Sequence, residues 1–159
     1  MNEEAKKVAL RMINYGMYLL TAKDGEDIAA GTVNWLSQTS FKPPLVMVGV
    51  KADGRLHSLI EKTRTFAVNI LGSDQKNLAA EFFKPLKVEG RKINGTPYET
   101  GVTGSPILTD TPASLECKVV DMVKKGDHTV VVGEVVEAHV RRKDAEPMFM
   151  RTTGWFYGG

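Results

Sequence analysis

Residues 115–140 read LECKVVDMVKKGDHTVVVGEVVEAHV. Leu115, Cys117, Val119 and Val123 alternate with Glu116, Lys118 and Lys124. A two-residue period puts the apolar set on one face of a strand and the charged set on the other. Gly126-Asp127 is a turn, and Thr129 opens a returning strand that runs to Val140. The pair predicts a long antiparallel hairpin. Working outward, Asp24-Gly25 is a second hairpin turn, joining a strand over 17–23 to one over 27–34. Residues 45–50 and 66–71 are short apolar runs that read as buried strands. Between 38 and 44 the pattern breaks, and Pro43-Pro44 forbids a central strand there. Ala5, Val8, Ala9, Met12 and Ile13 recur at helical spacing, and Gly16 ends that helix. A short helix is expected over 54–62. Another starts at Ser73 as N-cap and turns Leu78, Ala79 and Phe82 inward. Residues 84–106 show no clear period and read as a long loop. Tight hairpins without regular strand–helix alternation favour an antiparallel barrel over a parallel sheet.

Composition narrows the function. The 159 residues carry 21 Lys+Arg against 19 Asp+Glu, with 42% apolar side chains. That describes one globular domain, residues 1–159, not a disordered chain. A net charge of +2 with 8% aromatics is a poor match to a single-strand nucleic-acid binder, which needs a basic groove with interleaved aromatics. The one cysteine, Cys117, makes neither an internal disulfide nor a zinc site, and its alternation with Leu115 and Val119 places it in strand core. No apolar run approaches the about 18 residues of a membrane span. The N-terminal residues lack the apolar stretch of a signal peptide, so the expectation is a cytoplasmic protein without membrane or nucleic-acid partners. No G-x-G-x-x-G, Walker, H-E-x-x-H or G-x-S-x-G motif is present, and His57, His128 and His139 lack metal-ligand spacing.

The chemistry-bearing segment is Thr32-Val33-Asn34-Trp35-Leu36-Ser37-Gln38-Thr39-Ser40. Six of these nine side chains are hydroxyls or amides, and none is charged. Placed at a strand exit, such a segment gathers neutral donors suited to a phosphate or the edge of a planar ring. It equally describes a polar turn with a half-buried Trp35.

Residues 32–50, TVNWLSQTSFKPPLVMVGV, resemble the core motif of the flavin reductase-like family, which has an FMN-binding split barrel. Phe66 to Leu71 is similar to that family's next strand. Gly126-Asp127-His128-Thr129 with Gly133-Glu134-Val135 resembles its GDH…GEV hairpin, at matching spacing. Tyr15 to Thr21 is similar to the start of short members, including those linked to rubredoxin-type partners. The resemblance implies a mainly β fold with short helices, a Greek-key antiparallel split β-barrel that dimerises. It implies FMN as cofactor, with FAD the lesser alternative, and NAD(P)H as co-substrate. Hydride would pass from nicotinamide C4 to flavin N5, and electrons on to free flavin, ferric iron, oxygen or a small redox partner such as a rubredoxin. A non-enzymatic FMN-binding electron carrier is the alternative.

The same resemblance assigns residues. Thr32, Val33, Asn34 and Trp35 would follow the ring edge, while Ser37, Gln38, Thr39 and Ser40 would serve the ribityl chain and phosphate. His57 and Ser58, at a helix start, would contact the phosphate, with Lys51 and Arg55 adding charge. Leu56 stands where relatives often carry a hydroxyl. Phe83 and Lys84 would border the ring face, or else end a helix. His128 would approach the nicotinamide, or else be a turn histidine. Asn69 is expected to orient the flavin loop, and Met148, Met150 and Trp155 to serve packing or a dimer contact. The basic residues Lys84, Lys87, Arg91 and Lys92 form a solvated loop or meet the 2′-phosphate of NADPH.

Overall fold

The computed structural model describes all residues 1–159. In chain order the elements are α1 (Glu3–Arg11), β1 (Tyr18–Asp24), β2 (Asp27–Val33), β3 (Leu36–Phe41), β4 (Pro44–Lys51), α2 (Arg55–Thr63), β5 (Thr65–Ile70) and α3 (Lys76–Glu81). There follow β6 (Val88–Glu89), β7 (Lys92–Ile93), β8 (Thr96–Thr100), β9 (Pro106–Leu108), β10 (Ala113–Lys124), β11 (His128–Val140) and α4 (Met150–Thr153). Seven strands make one antiparallel sheet in the order β2-β1-β5-β10-β11-β4-β3. Its edge strands β2 and β3 do not pair with each other, so the mainly β barrel stays split. The hairpin of residues 115–140 lies at the sheet's centre, with register shifts at Glu116/Cys117 and Val119/Asp121 that curl it.

Strand alternation feeds two cores. In β1, Leu20 and Ala22 face inward to meet Val46, Val48, Val50, Phe66, Val68, Cys117 and Val131, closed from one side by Leu59 and Ile60 of α2. Leu19, one residue away, faces outward onto Met17, Leu71, Ala79, Phe82, Ile93, Leu108 and Met148. Gly133 is required where Phe66 crosses β11: a Cβ there would stand 2.5 Å from Phe66 Cζ.

Four expectations change. The break over 38–44 is the edge strand β3 and its hairpin turn, with a register shift between Gln38 and Ser40. Pro43 lies in the turn and Pro44 is the first residue of β4, outside its pairing with β11, so neither has to donate to an inner ladder. Strand β4 is buried on one face only: Val46, Val48 and Val50 are inside, whereas Met47 is exposed. Helix α3 begins after Gln75, not Ser73. Asp74 is instead drawn into an ion pair with Arg142 at 3.0 Å. The loop over 84–106 contains a small antiparallel meander, β6-β7-β8-β9. Its strands are too short for a periodic signal, and positive φ at Gly90, Asn94 and Gly95 sets the turns. Helix α1 forms as read, capped by the Asn2 side chain on Ala5 N at 2.9 Å. None of its residues is buried, and Val8, Leu10, Met12 and Ile13 lie exposed.

Candidate functional site

The site is a two-part cleft on the outer edge of β2. An edge strand leaves alternate N–H and C=O groups without a ladder partner, so its backbone is available to a ligand. The polar half, about 340 Å³, is lined by β2 from Ala29 to Val33, by Asn34, by the end of β4 (Gly49, Val50, Lys51) and by Gly54, Arg55 and Leu56 at the start of α2. Leu86, His128 and Tyr157 complete it. Gly54 caps α2 without a side-chain hydrogen bond, which leaves first-turn N–H groups free at the positive end of the helix dipole. Lys51 and Arg55 stand beside that end, paired with Asp53 at 3.5 Å and with Asp27 respectively.

The apolar half, about 620 Å³, adjoins it through the shared residues Thr32, Val33, Asn34 and Tyr157. Its walls are Met17, Phe82, Phe83, Met150 and the tail from Gly154 to Tyr157. Phe83 meets Trp155 edge to face at 4.8 Å, and Lys76 Nζ lies 5.2 Å from the Trp155 ring centroid. Asn34 is buried and donates to Met150 Sδ at 2.9 Å. Thr32 Oγ1 is buried at the junction of the halves and has no hydrogen-bond partner. An orphaned buried hydroxyl costs free energy unless something pairs with it. Its place in the cleft wall makes a polar, ring-bearing ligand a chemically fitting occupant.

The structure brings part of the sequence-read set together at this cleft and sets the rest apart from it. Thr32, Val33, Asn34, Lys51, Arg55, Phe83 and His128 come together around the cleft. Trp35 turns to the opposite side, against His128 at 4.6 Å and Tyr157 at 5.3 Å. Ser37 lines a groove there with Trp35 and Tyr15, and its hydroxyl bonds Gln38 O. Gln38, Thr39 and Ser40 lie on β3 away from the cleft, with Gln38 bonded to Ser40 O. The cause is β3 itself, since a strand carries successive side chains to opposite faces where a loop would gather them. His57 points into the barrel interior, where Nε2 meets Thr129 Oγ1 at 2.8 Å, and Ser58 is spent on Gly54 O. Lys84 sits beyond Phe83 and pairs with Glu81 at 2.7 Å. Lys87 pairs with Glu89 at 3.1 Å, so half of the basic cluster is locally neutralised. Asn69 is buried and structural, but it ties β1, β9 and β10 together through Leu19 O, Leu108 N and Ser114 Oγ, away from the cleft. Met150 and Trp155, expected as packing, are cleft walls. Tyr157, Leu86 and the small residues Ala29 to Gly31 went unread. The aromatic tail was a visible signal, but nothing local says where it folds back.

The flavin reductase-like domain matches residues 10–157 of this sequence. The chain belongs to the flavin reductase-like family. FMN reductase (NADH) SmoA of Agrobacterium fabrum is 30% identical over 147 residues, covering 92% of this chain and 81% of its own. Diflavin flavoprotein A 1 of Synechocystis is 34% identical over 137 residues, covering 86% of this chain but 24% of its own. The chain thus spans about a quarter of the length of the diflavin flavoproteins it matches. Among solved structures, the styrene monooxygenase flavin reductase of Pseudomonas putida S12 superposes with a TM-score of 0.75 at 29% identity, over 93% of this chain and 91% of that one. Within the family fold, the cleft at β2 and α2 is where this member gathers its free backbone donors, its cations and its aromatic wall.

Proposed function

We propose that this chain is an NADH-driven flavin reductase that takes FMN in the cleft, with residues 1–159 acting as one domain. The observation that carries the reading is the Thr32 hydroxyl, buried and unpaired where a polar pocket meets an aromatic one. Flavin, when bound, supplies the hydride-accepting ring. The chain's own residues do the rest. Thr32 to Asn34 offer the edge of β2 to the polar rim of the ring. The free N–H groups at Arg55 and Leu56, with Lys51 and Arg55, hold the phosphate. Phe83, Trp155 and Tyr157 shield the ring from water and leave the apolar half for the nicotinamide. Holding two rings in contact is the protein's main contribution to the rate. The exposed apolar side chains of α1 are the surface on which two copies would pair. Onward electron transfer goes to free flavin, ferric iron, oxygen or a small rubredoxin-like protein, in the cytoplasm. The names of SmoA and of the styrene monooxygenase reductase support the activity.

The test is the visible spectrum of the purified chain with FMN under anaerobic conditions, before and after NADH and then NADPH. Bound flavin that bleaches with NADH supports the reading. Bound flavin that stays oxidised with both supports an electron carrier, and a chain that takes up no flavin refutes both. Arg55→Ala is expected to weaken FMN more than riboflavin, because only FMN carries the phosphate.

A further inference from the structure

We infer that the Tyr157 hydroxyl is the proton-handling group of the cleft, and that Asp127 and His128 set the direction of its hydrogen bond. The inference rests on the flavin reductase reading. Asp127 Oδ1 lies 2.9 Å from His128 Nδ1, and His128 Nε2 lies 2.7 Å from the Tyr157 oxygen. An ionised carboxylate only accepts, so Nδ1 carries a proton. Neutral His128 then presents Nε2 as an acceptor, and Tyr157 donates to it. In that state the hydroxyl faces the cleft with its lone pairs. When His128 is protonated, Nε2–H donates to the Tyr157 oxygen and the tyrosine proton is free to point into the cleft. The same hydroxyl changes from acceptor to donor without moving.

The three groups lie in line at the mouth of the cleft. The Asp127 side chain is 94% exposed and that of His128 15%, while Tyr157, itself about half exposed, lines both cleft halves. The hydrogen bond from His128 holds the Asp127 carboxyl below its ordinary range, so it remains an anion while His128 changes charge. Other charged and titratable groups around His128 are few. Lys51 lies opposite it in the β4–β11 register and is paired with Asp53. Arg55 lines the same half of the cleft and is paired with Asp27. Tyr15 lines the groove on the other side of His128. Trp35 packs edge-on against His128 and fixes its ring plane. Residues 155–159 make no backbone–backbone hydrogen bonds, so side chains place Tyr157: these contacts, with Trp155 N donating to Thr153 Oγ1 and Arg11 reaching Gly158 O and the Phe156 ring.

The proton step balances without electrons. The Nε2 proton of His128 would pass to the Tyr157 oxygen as the Tyr157 hydroxyl gave its own proton to a basic ligand atom within hydrogen-bond reach in the cleft. His128 is left neutral, and Tyr157 is regenerated.

The experiment follows His128 by NMR across pH in the ligand-free chain, as wild type, Tyr157→Phe and Asp127→Asn. It also records FMN affinity and the pH profile of kcat and KM for NADH. Tyr157→Phe is expected to shift the His128 titration, to lower kcat about tenfold, the worth of one hydrogen bond, and to leave KM for NADH nearly unchanged. The acid-dependent limb of kcat should vanish in that variant. Asp127→Asn should lower kcat as well, since the anion that fixes the proton on His128 Nδ1 is gone. Identical His128 titrations in wild type and Tyr157→Phe, or a wild-type pH profile in that variant, overturn the relay. A wild type that binds no FMN and oxidises no NADH refutes the flavin reductase reading instead, and the ligand-free titration still decides the hydrogen bonding.

Discussion

Thr32→Val should raise the stability of the ligand-free chain and weaken its hold on FMN. Thr32 sits in β2 opposite Leu19 of β1, with its hydroxyl buried and unpaired. Leaving a buried hydroxyl without a partner costs about 1–3 kcal/mol. Valine has the same branched shape and an equal liking for strands, so it removes that cost without opening a cavity. The lower end of the range, about 1 kcal/mol, corresponds to a rise in Tm of about 2–4 °C for a chain of this size. With FMN bound the balance reverses, because the variant forfeits a hydrogen bond worth about 1 kcal/mol and Kd rises about fivefold. Thermal melts of the ligand-free chain and fluorescence titration with FMN measure the two effects on one sample. A lower Tm together with an unchanged Kd would refute the reasoning: the hydroxyl would then already be satisfied and would face no ligand.

Gly133→Ala places a methyl 2.5 Å from Phe66 Cζ and 3.1 Å from Cys117 Cβ, both in the inner core. It should cost about 1–3 kcal/mol in denaturant melts and leave FMN affinity of the folded chain unchanged. Glu116 is fully buried; burial alone raises its pKa, but hydrogen bonds from His139 and Thr103 outweigh it and the net shift is downward. A lowered carboxyl stabilises the fold above the ordinary glutamate range and loses that contribution as pH falls through its native value. Glu116→Gln should therefore cost about 1.5–3 kcal/mol at neutral pH and melt with a weaker acid dependence than wild type. Burial pushes the Cys117 thiol up to about 12. It should resist thiol reagents in the native chain and react only on unfolding, followed by absorbance in increasing denaturant.

The hairpin of residues 115–140, the Asp24-Gly25 turn and helix α2 were all legible, because each is written in a local period or a turn dipeptide. The edge strand β3 was not. Its serines, threonine and glutamine look like loop, and only pairing with β4 makes them a strand. Ser37 to Ser40, which the resemblance assigns to the ribityl chain and phosphate, lie on that strand and not along the cleft at β2. His57 shows the opposite case. A histidine at a helix start reads as an anion contact, yet the helix face it occupies is turned to the core, where Thr129 satisfies it. The meander of β6 to β9 is made of strands of two to five residues, too short to repeat any pattern.

Local order in the chain was enough for antiparallel strands, hairpin turns and the family resemblance that begins with residues 32–50. Those features depend on neighbours a few residues apart, and a sequence displays such spacing openly. The cleft depends on distant partners. Tyr157 meets His128 across 29 positions, and Asn34 meets Met150 across 116. No periodicity relates such pairs. They come together because two cores and a curled sheet leave one edge of β2 uncovered, and the aromatic tail packs where apolar surface remains.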